Sequence, residues 1–489
     1  MAVARRDDVL VVLAALLPLA LFAVRERAIA HGAGFPLDDA WIHLHFARNV
    51  AEGAGFAYNP GRPVAGSTAP LWTLVLAIGT VVAGASVVMA KVMGTAATIA
   101  AGVLTRRAAL AWGAPPAPAL VASVALLWTG AMAWGALSGM ELGLAAMLVA
   151  AALLAHARGR LVATALLAAL AVLARPEAIV LIPLFMLSGR PRVRRLLVFC
   201  GVTAVVLAPA VIFSLATVGA PMPATAVAKI EGGLIGWLSG VREPAILTFL
   251  RRPWDFVVAW VAWLAGTHWL LPLAILPGIA VAWRRAGPSL GVVALGLLVH
   301  PLAMALLAPY RDPSFQEGRY STHLLPLAFV ALAVMAPRGP RRGAAALALT
   351  LALALLPMPR AADRYAWGVQ NINAMQVNLG HWVDRYLPNP ARIATNDIGA
   401  IAFLSRREVI DLMGLVTPEI LPYRRRGESG VIDYVRETCP DYVIIFPTWF
   451  PALAKRTEML DPVHRVRLER NVVSGGDEMV VYRLTRCAV

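Results

Sequence analysis

Between Val9 and Pro357 the chain is a train of apolar runs, at 9–24, 86–104, 117–136, 141–156, 161–174, 178–188, 195–217, 253–283, 289–308, 321–336 and 343–357. A water-soluble globule cannot hide so much apolar side chain, so the runs read as membrane helices. Several are shorter than the ~20 residues that a perpendicular span needs. Those short runs require thinned bilayer, snorkelling arginine or neighbouring helices. Arginines punctuate the train at Arg106 and Arg107, at Arg158 and Arg160, from Arg190 to Arg195, at Arg284 and Arg285, and from Arg338 to Arg342, which is every second loop. The positive-inside rule places these loops in the cytoplasm. With the N-terminus inside as well, the reading is eleven spans, with outward loops at 25–85, 137–141, 175–177, 218–252 and 309–320. The C-terminal segment then lies outside too.

The first run is read as an uncleaved anchor, because Arg25, Glu26 and Arg27 follow it where a signal peptide is uncharged. Leu71 to Gly84 is expected as a short apolar helix against the outer leaflet. Within 253–283, Gly266 and His268 are placed to separate a surface helix from a span.

Basic residues number 44 against 28 acidic ones, but residues 358–489 hold 17 and 15, leaving 27 against 13 in the membrane part. The excess therefore serves membrane orientation, and no nucleic-acid surface is expected. A mean hydropathy of +0.69 agrees. Cys200 sits in an apolar run, far from Cys439 and Cys487, so cysteine spacing suggests no metal site, and whether the latter two pair stays open.

After Pro357 and Pro359 the composition turns soluble. A helix at 374–386, strands at 392–395, 409–412, 441–446 and 479–484, and a short helix at 398–404 predict a small α/β domain over 358–489. The fold class is thus a polytopic α-helical membrane protein, 1–357, with a small extracytoplasmic α/β domain. Gly399 after Asn396-Asp397 reads as a plain turn, since a dinucleotide fingerprint needs three spaced glycines.

The most polar stretch of the membrane part is 35–72. Asp38 and Asp39 open an amphipathic pattern in which Ile42, Phe46 and Val50 share one face and Asp39 and His43 another. One reading is that one acid caps the helix and the other favours its dipole. A cap, however, does not need both acids. His43 and His45 are two residues apart, so they do not face one metal together and read as polar interface residues, with substrate contact as their candidate binding role.

Asp38-Asp39-Ala40, Ala47-Arg48-Asn49, Gly53, Asn59-Pro60-Gly61, Gly66 and Pro70-Leu71-Trp72 resemble the first extracytoplasmic loop of GT-C glycosyltransferases, with the arabinofuranosyltransferase-like membrane proteins as the nearest look. Further pieces follow in order: Ser138-Gly139-Met140-Glu141, Ala174-Arg175-Pro176-Glu177, Pro221 to Thr225 with Lys229, and Gly318-Arg319-Tyr320. The resemblance runs more weakly into Asp397-Ile398-Gly399 and Ile410 to Leu415.

That resemblance implies a bacterial plasma-membrane enzyme of cell-envelope biogenesis. It transfers a sugar from a polyprenyl-phosphate donor to a glycan, lipid or protein acceptor outside the cytoplasm. No cofactor is required by it, and a divalent metal is left open. Asp38 or Asp39 is the expected base, with Asp38 preferred because Asp39 has His43 one turn on. Lys229, one of three lysines in an arginine-rich chain, and Arg319 beside Tyr320 suit the donor phosphate. Arg175 and Glu177 are expected to pair with each other or with Glu141, as substrate contacts or as helix braces. The competing readings are a transporter or flippase of a lipid-linked sugar, in which these intramembrane charges mark the path, and a non-catalytic sugar- or lipid-binding relative.

Overall fold

The computed structural model describes residues 2–337 and 340–487. Arg338 of the last expected arginine loop lies outside them. The described residues divide into two compact units, one of 1–24, 91–209 and 230–362, the other of 25–90, 210–229 and 363–489.

The first unit is helical. Among the described residues of the whole chain, five helices are long and apolar enough to cross a membrane: Arg6–Ala30, Val87–Ala111, Arg192–Val218, Leu270–Leu307 and Gly343–Tyr386. Pro116–Leu127 and Gly130–Leu137 form a sixth candidate, bent by 57°. The runs at 141–156, 161–174 and 178–188 are helical but short, as Leu142–Ala157, Leu161–Ala174 and Pro176–Leu187. Length alone therefore gives five or six spans where periodicity led us to expect eleven. Small residues let these helices close up: a Cβ at Gly94 would meet the Ala136 carbonyl oxygen at 2.6 Å. The break expected near His268 is present, between helices Arg252–Thr267 and Leu270–Ala294.

Polar contacts gather the arginine-bearing loops of this unit. Arg106 and Arg107, expected in a loop, lie inside helix Val87–Ala111, and Arg106 meets Asp7 at 2.5 Å and Asp8 at 2.8 Å, which ties that helix to the N-terminal one. His156 contacts the Ser188 hydroxyl at 2.9 Å and the Ser289 carbonyl at 3.1 Å, and Arg195 reaches the Ser188 hydroxyl at 3.3 Å. Loops 156–160, 188–195 and 284–289 thus share one end of the helices.

The second unit is built on a mixed sheet. After a hairpin pair, β1 (Ala57–Asn59) and β2 (Arg62–Pro63), its strands are β3 (Arg392–Thr395), β4 (Glu408–Asp411), β5 (Tyr442–Ile445), β6 (Leu460–Arg467) and β7 (Glu478–Leu484), in the order β4-β3-β5-β7-β6. β3 is parallel to β4 and β5, while β7 runs antiparallel to β5 and β6. The period-2 alternation of a strand sorts the core. Ala394, Ile410, Val443, Ile445, Val480 and Tyr482 face helix Glu428–Thr438, whereas Ile393, Ile444, Met479 and Val481 face Met375, Leu379 and Val383. Cys439 and Cys487 are bridged, with their Cα atoms 5.3 Å apart.

The first-loop stretch belongs to this unit. Its helix Asp39–Ala51 leads into the short hairpin Ala57–Asn59 and Arg62–Pro63, then into helix Pro70–Ala83, which is the short apolar helix expected from the sequence. Phe46, Tyr58 and Val64 share a core with Ala224, Ile398, Ala402, Val409 and Val416. Asn59 clips onto the edge strand β4, donating to the Val409 carbonyl at 2.8 Å and accepting its N–H at 2.9 Å. That clip occupies main-chain groups that an edge strand otherwise leaves open.

Candidate active site

Asp38 stands at the N-cap position of helix Asp39–Ala51 but makes no capping bond there. Its carboxylate instead accepts the N–H groups of Gly399 at 2.6 Å and Ala400 at 2.8 Å, at the start of helix Gly399–Ser405. Gly399 is required by this approach, because a Cβ there would run into Asp38. The plain-turn reading of Gly399 missed that contact, which no local pattern announces. Asp38 is 7% exposed.

Asp397 completes an acidic group. It accepts from Gln376 Nε2 at 2.6 Å and lies near enough to Asp38 for the two carboxyls to act on each other electrostatically. Neighbouring carboxyl groups resist joint ionisation, because adjacent like charges repel. Burial, with Asp397 next, pushes Asp38 well above the ordinary carboxylate value. Burial also raises Asp397 to about 6, and the nearby Asp39 adds to the rise. Asp39 itself is half-buried in the first helical turn. Both oxygens of Asp38, the preferred base of the sequence reading, already serve backbone amides.

The two histidines are built into the scaffold. His43 Nδ1 lies 3.3 Å from the hydroxyls of both Ser67 and Thr73, which fastens its helix to Pro70–Ala83. Arg48 approaches His45 Nδ1 at 3.1 Å, so His45 donates from Nε2 to the Tyr58 carbonyl at 2.8 Å. Burial, reinforced by Arg48, holds His45 down at about 3. Asp411 accepts the N–H groups of Met413, Leu415 and Val416 at 2.7, 2.5 and 2.9 Å and orders the turn after β4. Thr225 donates to the carbonyls of Gly66 and Leu415. Lys229 follows as a half-buried residue at the end of helix Ala224–Ala228. Among the described residues no group of three His, Cys, Asp or Glu side chains is disposed to hold a metal ion. We route no step through one.

The remaining candidates lie in the helical unit. Arg175 is ion-paired with Glu141 and reaches Glu177 at 2.9 Å, so both expected partners are engaged. Arg175 and Arg319 lie over the ring of Tyr320, at 4.4 and 5.1 Å from its centroid, and Arg319 donates to its hydroxyl at 3.2 Å. Arg175 and Arg319 are 4% and 5% exposed. His300 and Ser321 join this cluster without having been singled out. A lone histidine inside the apolar run 289–308 was the available signal.

No curated protein matches this sequence. A family model described as a domain of unknown function, DUF8728, matches residues 369–482. Among solved structures, ArnT from Cupriavidus metallidurans in the apo state superposes with a TM-score of 0.61 at 14% identity, covering 96% of this chain and 97% of that one. The same protein bound to undecaprenyl phosphate gives 0.54 at 14% identity, covering 97% and 98%. The Archaeoglobus fulgidus oligosaccharyltransferase in complex with Zn and sulfate gives 0.58 at 14% identity, covering 98% of this chain and 73% of that one. The chain shares the fold of these solved structures. Its five or six candidate spans among the described residues make it a multi-pass membrane protein.

Proposed function

We propose that this protein is a GT-C glycosyltransferase, which transfers a sugar from a polyprenyl-phosphate donor to a glycan, lipid or protein acceptor on the outer side of the membrane. The observation that carries the reading is likeness over 97% of the chain to a protein solved with undecaprenyl phosphate bound. In the reaction, the bond between the anomeric carbon and the phosphate oxygen breaks, and the acceptor forms the new bond to that carbon. The acceptor's proton passes to Asp39, and the lipid phosphate leaves carrying the electron pair. Asp38, with Asp397 and the amides of Gly399 and Ala400, is the positioning group that fixes the first helical turn.

Arg319 and Lys229 are the proposed cations for the donor phosphate, where a low-dielectric setting strengthens their attraction. Arg175, already matched by Glu141 and Glu177, acts as a brace and a substrate contact. The outward side is proposed from the alternating arginine loops and from the Cys439–Cys487 bridge, a bond that persists in oxidising compartments. Turnover of undecaprenyl-phosphate sugars by purified protein in detergent tests the reading. Transfer that survives in an Asp38→Asn, Asp39→Asn double variant at the wild-type rate removes the acidic loop from the chemistry.

A further inference from the structure

His300 lies within helix Gly296–Leu307 and is fully buried. Its Nε2 is 3.0 Å from Ser321 Oγ, and that hydroxyl donates to the Pro313 carbonyl at 3.1 Å. A carbonyl only accepts, so the single serine proton is spent there and Ser321 receives its second bond from His300 Nε2–H. In the neutral ring the lone pair of Nδ1 is then bare, and that atom is buried with no donor beside it. His323, 1% exposed, packs edge-on at 5.4 Å between ring centroids, and neither of its nitrogens has a partner. Arg175 Nη2 is a third buried group without one, and Arg175 is near enough to act electrostatically on both imidazoles.

Folded proteins leave few such groups unsatisfied, and a cluster of them points to a ligand. The backbone leading to it is strained as well. Gln316, Glu317 and Gly318 hold φ values of 48°, 62° and 73°, and a Cβ at Gly318 would overlap Trp263. Consecutive left-handed residues persist where the surrounding structure over-determines them, which is common at binding sites.

The vacant hydrogen-bonding groups specify the ligand's chemistry. His300 Nδ1 needs a donor, Arg175 Nη2 needs an acceptor, and His323 offers one of each. A phosphate diester only accepts, and beside Arg175 it would meet Glu141 and Glu177. A metal cation would meet the guanidinium. A hydroxyl both donates and accepts, and it carries no charge.

We propose that His300 and His323 recognise a hydroxyl of the sugar on the lipid donor, a specificity role that rests on the donor reading above. A site built to hydrogen-bond a hydroxyl discriminates strongly, because its polar groups are left unpaired when the hydroxyl is missing. The test measures binding of undecaprenyl phosphate and of its arabinose, mannose and glucose esters to full-length protein in detergent. The wild type is expected to bind at least one ester about tenfold or more tightly than the sugar-free lipid. His323→Phe and His300→Asn should cut that preference to roughly threefold or less while leaving the sugar-free lipid's affinity unchanged. His323→Gln, which keeps a donor and an acceptor, should retain most of the preference, and it carries the test if the Phe variant does not fold. Equal weakening of all four lipids would assign the pair to the phosphate and overturn the proposal. An unchanged preference in both variants would reduce the cluster to a buried-water site and overturn it as well. Wild-type protein that binds none of the lipids sinks the donor reading itself, a different outcome from a lost preference.

Discussion

Asp38 and Asp39 are neighbours with different proposed roles, and that division makes their substitutions separable. Asp39→Asn keeps shape and hydrogen bonding but removes the proposed base, so transfer should fall roughly 100-fold with donor binding retained. Asp38→Asn sets an amide N–H where Gly399 or Ala400 already donates, so it should cost about 1–3 kcal/mol of stability, read as a lower thermal midpoint. A larger stability loss in Asp39→Asn than in Asp38→Asn would reverse the assignment. Asp397 makes a pH test. Its carboxyl sits at about 6 when folded, against 3.8 ordinarily, so the folded chain binds more protons between those values. Stability should therefore decline as pH rises from about 4 through 6, by on the order of 3 kcal/mol for this group, with Asp411 and Asp38 acting in the same direction. Thermal midpoints at pH 5 and 7.5 check it, and Asp397→Asn should flatten the difference.

Elements were easier to read than their alliances. The strands at 392–395 and 441–446, the helix after Pro70 and the break at His268 all follow from period, proline and glycine, which act locally. Strand β6 was missed because Leu460–Arg467 interleaves Asp461, His464 and Arg465 with few apolar residues, as an edge strand tolerates. The acidic pair was legible from its spacing, whereas its partners at 397–400 were not, since nothing local records a contact that distant. Glycine supplies the check at this scale. Gly399→Ala has an unstrained backbone but a blocked approach to Asp38, so it should lower the thermal midpoint and disturb the acidic loop together. An alanine variant as stable and active as wild type would mean that the helix at 399–405 does not hold Asp38.

For the whole molecule, the alternating arginines and the shared end of loops 156–160, 188–195 and 284–289 argue for a single orientation. A reporter fused after Val489, a residue outside the described ones, should be active only on the outer side. Peptide mapping of the denatured protein without reductant should recover Cys439 joined to Cys487 and Cys200 alkylated, as befits a free thiol. Activity of the reporter in the cytoplasm would defeat the orientation and the oxidised bridge alike. The grip on Asp38 has a further consequence in time. Its amide partners lie 361 and 362 residues downstream, so a nascent chain presents the acidic loop long before anything exists to hold it. At about 5–20 residues per second the interval lasts on the order of tens of seconds. Through that interval the anchor and first helices can settle in the bilayer while the acidic pair stays unset, and the late-made sheet segment acts as a built-in timer for the site.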